Sequence, residues 1–321
     1  MKIAHWVMKN GSGMYRVALD LSIAEKSRGL DSLCLDCDPE KGEIAGGLDA
    51  DIHVLHTHIP DSIDTRKAKV VWVCHGTPEN MFHSSVDESH KGHGAGDAWM
   101  VCHHYLHRSD VVVTFWPRHY EIWKSLAGKH ADVECIPMGV DRTFWVKQPS
   151  TGKFAGEPSV LSAENCHWIK WPYDLFIAWA WASAELRKAR LHVFYLPLEQ
   201  CKWFYPLAFD SGAAYRSFIV SGVMQPEGLR NAFASVDFYA GLVRYGDHNR
   251  ISLEAHAAGC PVISYRGNEY ADYWVDEGDQ RVIAQQLLAI LRGEIPKRKT
   301  PETPDISETA AAMAQIYERI A

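Results

Sequence analysis

The residues best suited to chemistry lie between Asp247 and Ile263, where the chain reads Asp-His-Asn-Arg-Ile-Ser-Leu-Glu-Ala-His-Ala-Ala-Gly-Cys-Pro-Val-Ile. A polar loop (Gly246, Asp247, His248, Asn249) enters a helix, and Gly259 and Pro261 stop it before an apolar strand. The first turn of such a helix presents unpaired N–H groups and the positive end of the helix dipole, which favour an anion such as a diphosphate. Arg250 adds a positive charge at the helix start. Glu254, about a turn and a half in, is a carboxylate able to accept two hydrogen bonds from a ribose diol.

A second phosphate-compatible feature is Gly11-Ser12-Gly13, between a strand pattern and a helix pattern. A dinucleotide fingerprint requires a third glycine where this chain has Arg16, so Asp36 and Asp38 only mimic its ribose-binding acid and an NAD-dependent oxidoreductase is disfavoured. His75 ends a strand pattern, a position where a lone histidine is more often satisfied structurally. Residues 83–107 contain His83, His90, His93, His103, His104 and His107, but no spacing closes a four-ligand zinc set. Cys34 and Cys37 form a C-x-x-C with no second pair, on a strand that turns them to opposite faces. No metal site is expected.

These residues need elements to hold them. Strand-like runs at Lys2–Met8, Ser32–Asp36, Ile52–Thr57, Val70–Cys74, Val111–Phe115 and Val133–Ile136 alternate with amphipathic segments such as Met14–Arg28. The pattern restarts with strands at Val160–Ser162, Leu191–Tyr195, Phe218–Val220, Phe238–Gly241 and Val262–Tyr265. Helices are expected near Tyr173–Lys188, Gln225–Ser235, Asn249–Ala258 and Asp279–Leu291, with a last helix over Ile306–Ile320. The expected organisation is a Rossmann-like domain at 1–147, a linker at 148–157, a second Rossmann-like domain at 158–295, and a tail and bridging helix at 296–321. Trp179 and Trp181, two apart on one helix, cannot both face its core.

The net charge of −7, with no basic excess in either half, argues against a nucleic-acid or anionic-lipid surface. No apolar run approaches the roughly 20 residues of a membrane helix, and no signal-peptide pattern opens the chain, so a cytoplasmic location is expected.

The stretch around Glu254 resembles the donor-binding segment of the retaining glycosyltransferases of family four. Further motifs agree in order: Val54-Leu55-His56-Thr57-His58, Val73-Cys74-His75-Gly76-Thr77, Ser109-Asp110-Val111-Val112-Val113-Thr114, and Ile136-Pro137-Met138-Gly139-Val140-Asp141. The resemblance implies an α/β fold of two Rossmann-like domains facing across a cleft (GT-B), with the C-terminal helix bridging back. It implies a nucleotide-sugar co-substrate, UDP- or GDP-linked, no other cofactor, metal-independent transfer and retention of configuration. Glu254 matches the ribose-binding second glutamate of the family's pair, Lys170 the diphosphate lysine, and His75 the histidine that contacts the donor sugar or reacting centre. Ser221 to Gln225, with Val223 and Met224, matches the base pocket.

Two departures stand out. Gly246 occupies the place of the first, sugar-side glutamate, leaving Asp247 as the nearest carboxylate, and Ala163-Glu164 replaces the usual Gly-Arg. Arg250 is a candidate replacement for that arginine. The acceptor, whether glycan, small metabolite, lipid or modified nucleobase, is not readable, and the competing reading is a catalytically silent nucleotide-sugar-binding or partner-binding module.

Overall fold

The computed structural model describes residues 1–7, 13–36, 49–56, 68–76, 103–150, 152, 154–164, 173–194, 217–220, 224–243 and 249–321. They form two compact units: Met1–Asp141 with Pro304–Ala321, and Arg142–Thr303. Residues just ahead of the polar stretch read as a linker pack with the second unit, where Trp145 is buried and meets the Phe233 ring at 5.9 Å.

The first unit is a six-stranded parallel sheet in the order β2-β1-β3-β4-β5-β6. Its strands are β1 (Lys2–Val7), β2 (Asp31–Asp36), β3 (Ile52–Leu55), β4 (Lys69–Val73), β5 (Val111–Thr114) and β6 (Asp132–Cys135). The central strands are apolar runs without alternation because both faces are covered: Ile52, Val54, Leu55, Val71, Val73 and Val111 to Val113 are wholly buried. Helix α1 (Gly13–Ser27) buries Val17, Leu21 and Ala24, the residues that its spacing singles out. Helix α2 (Pro117–Ala127), which the strand-and-helix pattern left unassigned, starts on a proline, whose missing N–H costs nothing at a first-turn position.

After an excursion of 162 residues through the second unit (Arg142–Thr303), the chain returns to the first. Val140 N–H donates to Pro304 O (3.1 Å) and Ile306 N–H to Val140 O (3.0 Å), pairing the outgoing and returning strands. Gly139 is needed here, since a Cβ on it would lie 2.3 Å from Asp305 O. Helix α7 (Ile306–Ile320) opens on a capping box in which Asp305 accepts from Ser307 N–H (2.9 Å) and Glu308 accepts from Asp305 N–H (2.9 Å). It packs on α1 and buries Met313, Ile316 and Tyr317.

The second unit is another parallel sheet, in the order β12-β11-β10-β7-β8-β9. It comprises β7 (Ser159–Ser162), β8 (Arg190–Val193), β9 (Phe218–Val220), β10 (Phe238–Gly241), β11 (Val262–Tyr265) and β12 (Tyr273–Val275). The helices are α3 (Tyr173–Glu185), α4 (Pro226–Phe233), α5 (Arg250–Ala257) and α6 (Gln280–Leu291). Helices α3 and α6 pack together over one face. On α3, Trp179 is fully buried and donates from Nε1 to Ser217 Oγ (3.1 Å), whereas Trp181 is half exposed, as their spacing requires. No helix among the described residues is long and apolar enough to cross a membrane.

Candidate functional site

In a parallel sheet the connections leave in opposite directions at one point of the strand order, and the crevice at the carboxyl ends of those two strands is the ligand site of open α/β folds. In the second unit that point lies between β7 and β10, which are hydrogen-bonded neighbours although their paired residues, such as Phe238 and Val160, are far apart in the chain.

The residues that follow these strands meet there. Asn249 is the N-cap of α5, its Oδ1 accepting from Ser252 N–H at 2.6 Å. Its Nδ2 donates to Glu164 Oε1 (2.5 Å), and Glu164 is the second residue past the end of β7. Tyr239 of β10 donates its hydroxyl to the same oxygen (2.7 Å). Burial, reinforced by the Glu164 charge, pushes the Tyr239 phenol well above its ordinary range, so it stays a donor. Glu164 is 1% exposed and thus serves to fix the start of α5 rather than to meet solvent. In the sequence it stands out only as a departure from a motif, a carboxylate two residues past a strand end.

One turn further along α5, Arg250 Nε donates to Glu254 Oε1 at 2.7 Å, both side chains being 6% exposed. The two residues read separately as a phosphate-side cation and a ribose-side acceptor are therefore an ion pair on one helix face. Met224, read as part of a base pocket, stands before α4 and is partly buried. Lys170, Gly246, Asp247 and Val223 lie outside the described residues, as do Gly11 and Ser12. Gly13 is the first residue of α1, where an added Cβ would meet nothing within 4 Å.

The first unit reverses its connections between β1 and β3. His75, just past β4, is partly buried and sits 5.7 Å from the Phe115 ring, centroid to centroid. Its Nε2 lies 3.0 Å from His56 Nδ1, and His56 Nε2 lies 3.0 Å from His5 Nδ1. His5 Nε2 is 2.7 Å from Glu25 Oε2. Ser32 Oγ donates to that oxygen (2.6 Å), and Tyr317 of α7 donates to Glu25 Oε1 (2.8 Å). Burial by itself raises the Glu25 carboxyl, but the His5 charge and the hydrogen bonds from His5, Ser32 and Tyr317 outweigh it and leave Glu25 below its ordinary value. Burial, then the neighbouring charges of His75 and His5, hold His56 well below the usual histidine range.

Of the histidine-rich stretch, His83, His90 and His93 lie outside the described residues. His103 and His107 approach Nε2 to Nε2 at 2.8 Å, and the His107 ring lies 3.8 Å from that of His130. Among the described residues no group of three or more His, Cys, Asp or Glu is arranged to hold a metal ion.

No protein-family model and no curated protein matches the chain. Solved structures do. A sucrose-phosphate synthase from Thermosynechococcus elongatus superposes with a TM-score of 0.73 at 12% identity, over 100% of this chain and 99% of that one. Anabaena HepE in complex with UDP and glucose gives 0.68 at 14%, over 100% and 98%. A glycosyltransferase from Rickettsia africae gives 0.65 at 13%, over 99% and 98%. The chain thus has the GT-B fold over its full length, two parallel six-stranded sheets with helices, as the motifs had implied.

Proposed function

We propose that this chain transfers a glycosyl group from a nucleoside-diphosphate sugar to an acceptor, with retention of configuration and without a metal. The observation that carries the reading is the start of α5: an N-terminus capped by Asn249, anchored through Glu164 to the strand beside it, at the reversal point of the second unit's sheet, with Arg250 and Glu254 on one face. The structures with this fold include complexes with UDP and with UDP-glucose, which favours a UDP-linked donor over a GDP-linked one.

Each group has a chemical task in this reading. The glycosidic bond breaks with its electron pair leaving on the diphosphate, and the N–H groups of α5 face the charge that develops. Glu254 accepts from the ribose hydroxyls. Arg250 donates one N–H to Glu254, keeping it in place, and its guanidinium is the cation nearest the start of the helix in this reading. Lys170 adds a second cation, and residues 221–225 hold the base. In the first unit, His75 belongs to the acceptor side and touches the reacting centre. No step of the reading calls on a metal.

Incubation of the intact protein with a panel of UDP, GDP, ADP and CDP sugars, with release of the nucleoside diphosphate as readout, tests this. Turnover of one donor, reduced about 10²-fold or more in Arg250→Ala, is expected, since a lost transition-state donor costs roughly that much. A second reading rests on Gly246, where the sugar-side glutamate is replaced. If nucleoside diphosphates bind and no sugar form is turned over, the chain is a binding module.

A further inference from the structure

Glu25, His5, His56 and His75 form one unbroken chain of hydrogen bonds at 2.7, 3.0 and 3.0 Å, with its inner end fully buried and its outer end at the residue assigned to the reacting centre. The side chains of His5 and Glu25 are 0% exposed, and His56 is 3% exposed. A buried carboxylate beside three consecutive imidazoles is costly unless each polar atom is partnered, so the geometry constrains the protons as well as the rings.

Ionised Glu25 only accepts, which obliges His5 Nε2 to carry hydrogen. A neutral His5 then has a bare Nδ1, which must accept from His56 Nε2–H, and His56 Nδ1 in turn accepts from His75 Nε2–H. In that state the basic nitrogen of His75 is Nδ1. The same heavy-atom positions fit a second state holding one more proton. There His5 carries hydrogen on both nitrogens and donates to His56 Nε2, His56 Nδ1–H donates to His75 Nε2, and His75 is neutral with its hydrogen on Nδ1.

We propose that Glu25, His5 and His56 are a proton relay serving His75: a proton taken up at His75 Nδ1 leaves its positive charge on His5, beside Glu25. The step balances. The His75 Nε2 proton moves to His56 Nδ1, the His56 Nε2 proton moves to His5 Nδ1, and no other atom changes its bonding. His5 is the ring in the chain that faces a counter-charge, whereas burial and its histidine neighbours disfavour a charge on His56. Ser32 and Tyr317 complete the pattern by satisfying Glu25, so the negative end is fixed from β2 and from α7. Of the other titratable groups among the described residues, Asp20 on α1 is paired with Arg16, and Cys34 on β2 is in register with His5 on β1. In the proposed reaction the relay receives the proton that the acceptor hydroxyl loses as its oxygen bonds to the sugar. This role rests on the glycosyltransferase reading; the relay itself does not.

The test has one arm for each. Nitrogen-15 spectra of the histidine rings, recorded on the whole protein while the pH is lowered, should show His5 becoming an imidazolium while His75 stays neutral and switches its hydrogen from Nε2 to Nδ1. An imidazolium forming at His75 itself, with no tautomer switch, overturns the relay, and this arm needs neither a variant nor a substrate. Glu25→Gln, which keeps the hydrogen-bonding shape but removes the counter-charge, should move that uptake to lower pH, and unchanged uptake counts against the relay. In the kinetic arm, Glu25→Gln should lower kcat about 10²-fold with donor KM unchanged, and the Glu25→Gln/His75→Asn double variant should be no slower than His75→Asn alone. Multiplying effects overturn action through His75. Absence of any turnover by the wild-type protein sinks the glycosyltransferase reading while the spectra still decide the relay.

Discussion

The Arg250–Glu254 pair is both a structural element and a proposed ligand-binding element, and substitutions separate the two roles. Because both side chains are buried, truncating one strands the other's charge, so Glu254→Ala should destabilise the second unit by about 3–5 kcal/mol. Replacing both by methionine removes both charges together and should recover most of that loss. Nucleotide binding should not return with it. Denaturant unfolding and a nucleoside-diphosphate titration on the wild-type protein and these two variants check this, and a double variant as unstable as Glu254→Ala would show that the pair is not the source of the effect. Glu254, Arg250 and His75 stand out in the sequence as candidates, by residue type and by motif order. Glu164 and Glu25 were not: Glu164 is bonded to Asn249 85 positions away, and Glu25 to His5 20 positions away, and only strand order brings such pairs together.

At the scale of elements, α5 depends on its cap. Asn249→Ala removes the acceptor for Ser252 N–H and one of the donors to Glu164, and should cost about 1–2 kcal/mol, with Asn249→Asp worse than its capping ability suggests because it sets a carboxylate against Glu164. Thermal unfolding of the two variants measures it; equal stability of Asn249→Asp and wild type would remove the Glu164 contact from the account. Gly139 governs the return of the chain: Gly139→Ala forces a Cβ against the Asp305 backbone and should cost about 1–3 kcal/mol while loosening α7. Near-native stability in that variant would count against the strand pairing at Val140. The sequence pattern located eleven of the twelve strands among the described residues to within a residue or two, because buried parallel strands are short apolar runs bounded by polar residues. It missed β12, three residues long at the sheet edge, and α2, which begins in the aromatic sequence immediately after β5, where no polar break sets it apart.

Across the whole molecule, histidines held neutral by burial occur in both units: His53 and His56 in the first, His192 and His256 in the second, each with its pKa below the ordinary 6.5. In the unfolded chain these rings bind protons near 6.5 and in the native protein they resist until lower pH. The unfolded state therefore binds more protons as pH falls through 6.5, and stability present above that value is progressively lost below it. Thermal unfolding should show a lower Tm at pH 5.5 than at pH 7.5; an unchanged Tm would mean that the burial is not maintained in solution. The central claim is that the second unit holds a nucleoside diphosphate at α5, with Glu254 on the ribose, and calorimetric titration of UDP into wild-type protein and Glu254→Gln tests it most directly. The account predicts saturable binding by the wild-type protein, weakened at least tenfold by the substitution, whereas equal affinity in both, or no binding of UDP, GDP, ADP or CDP by either, would contradict it.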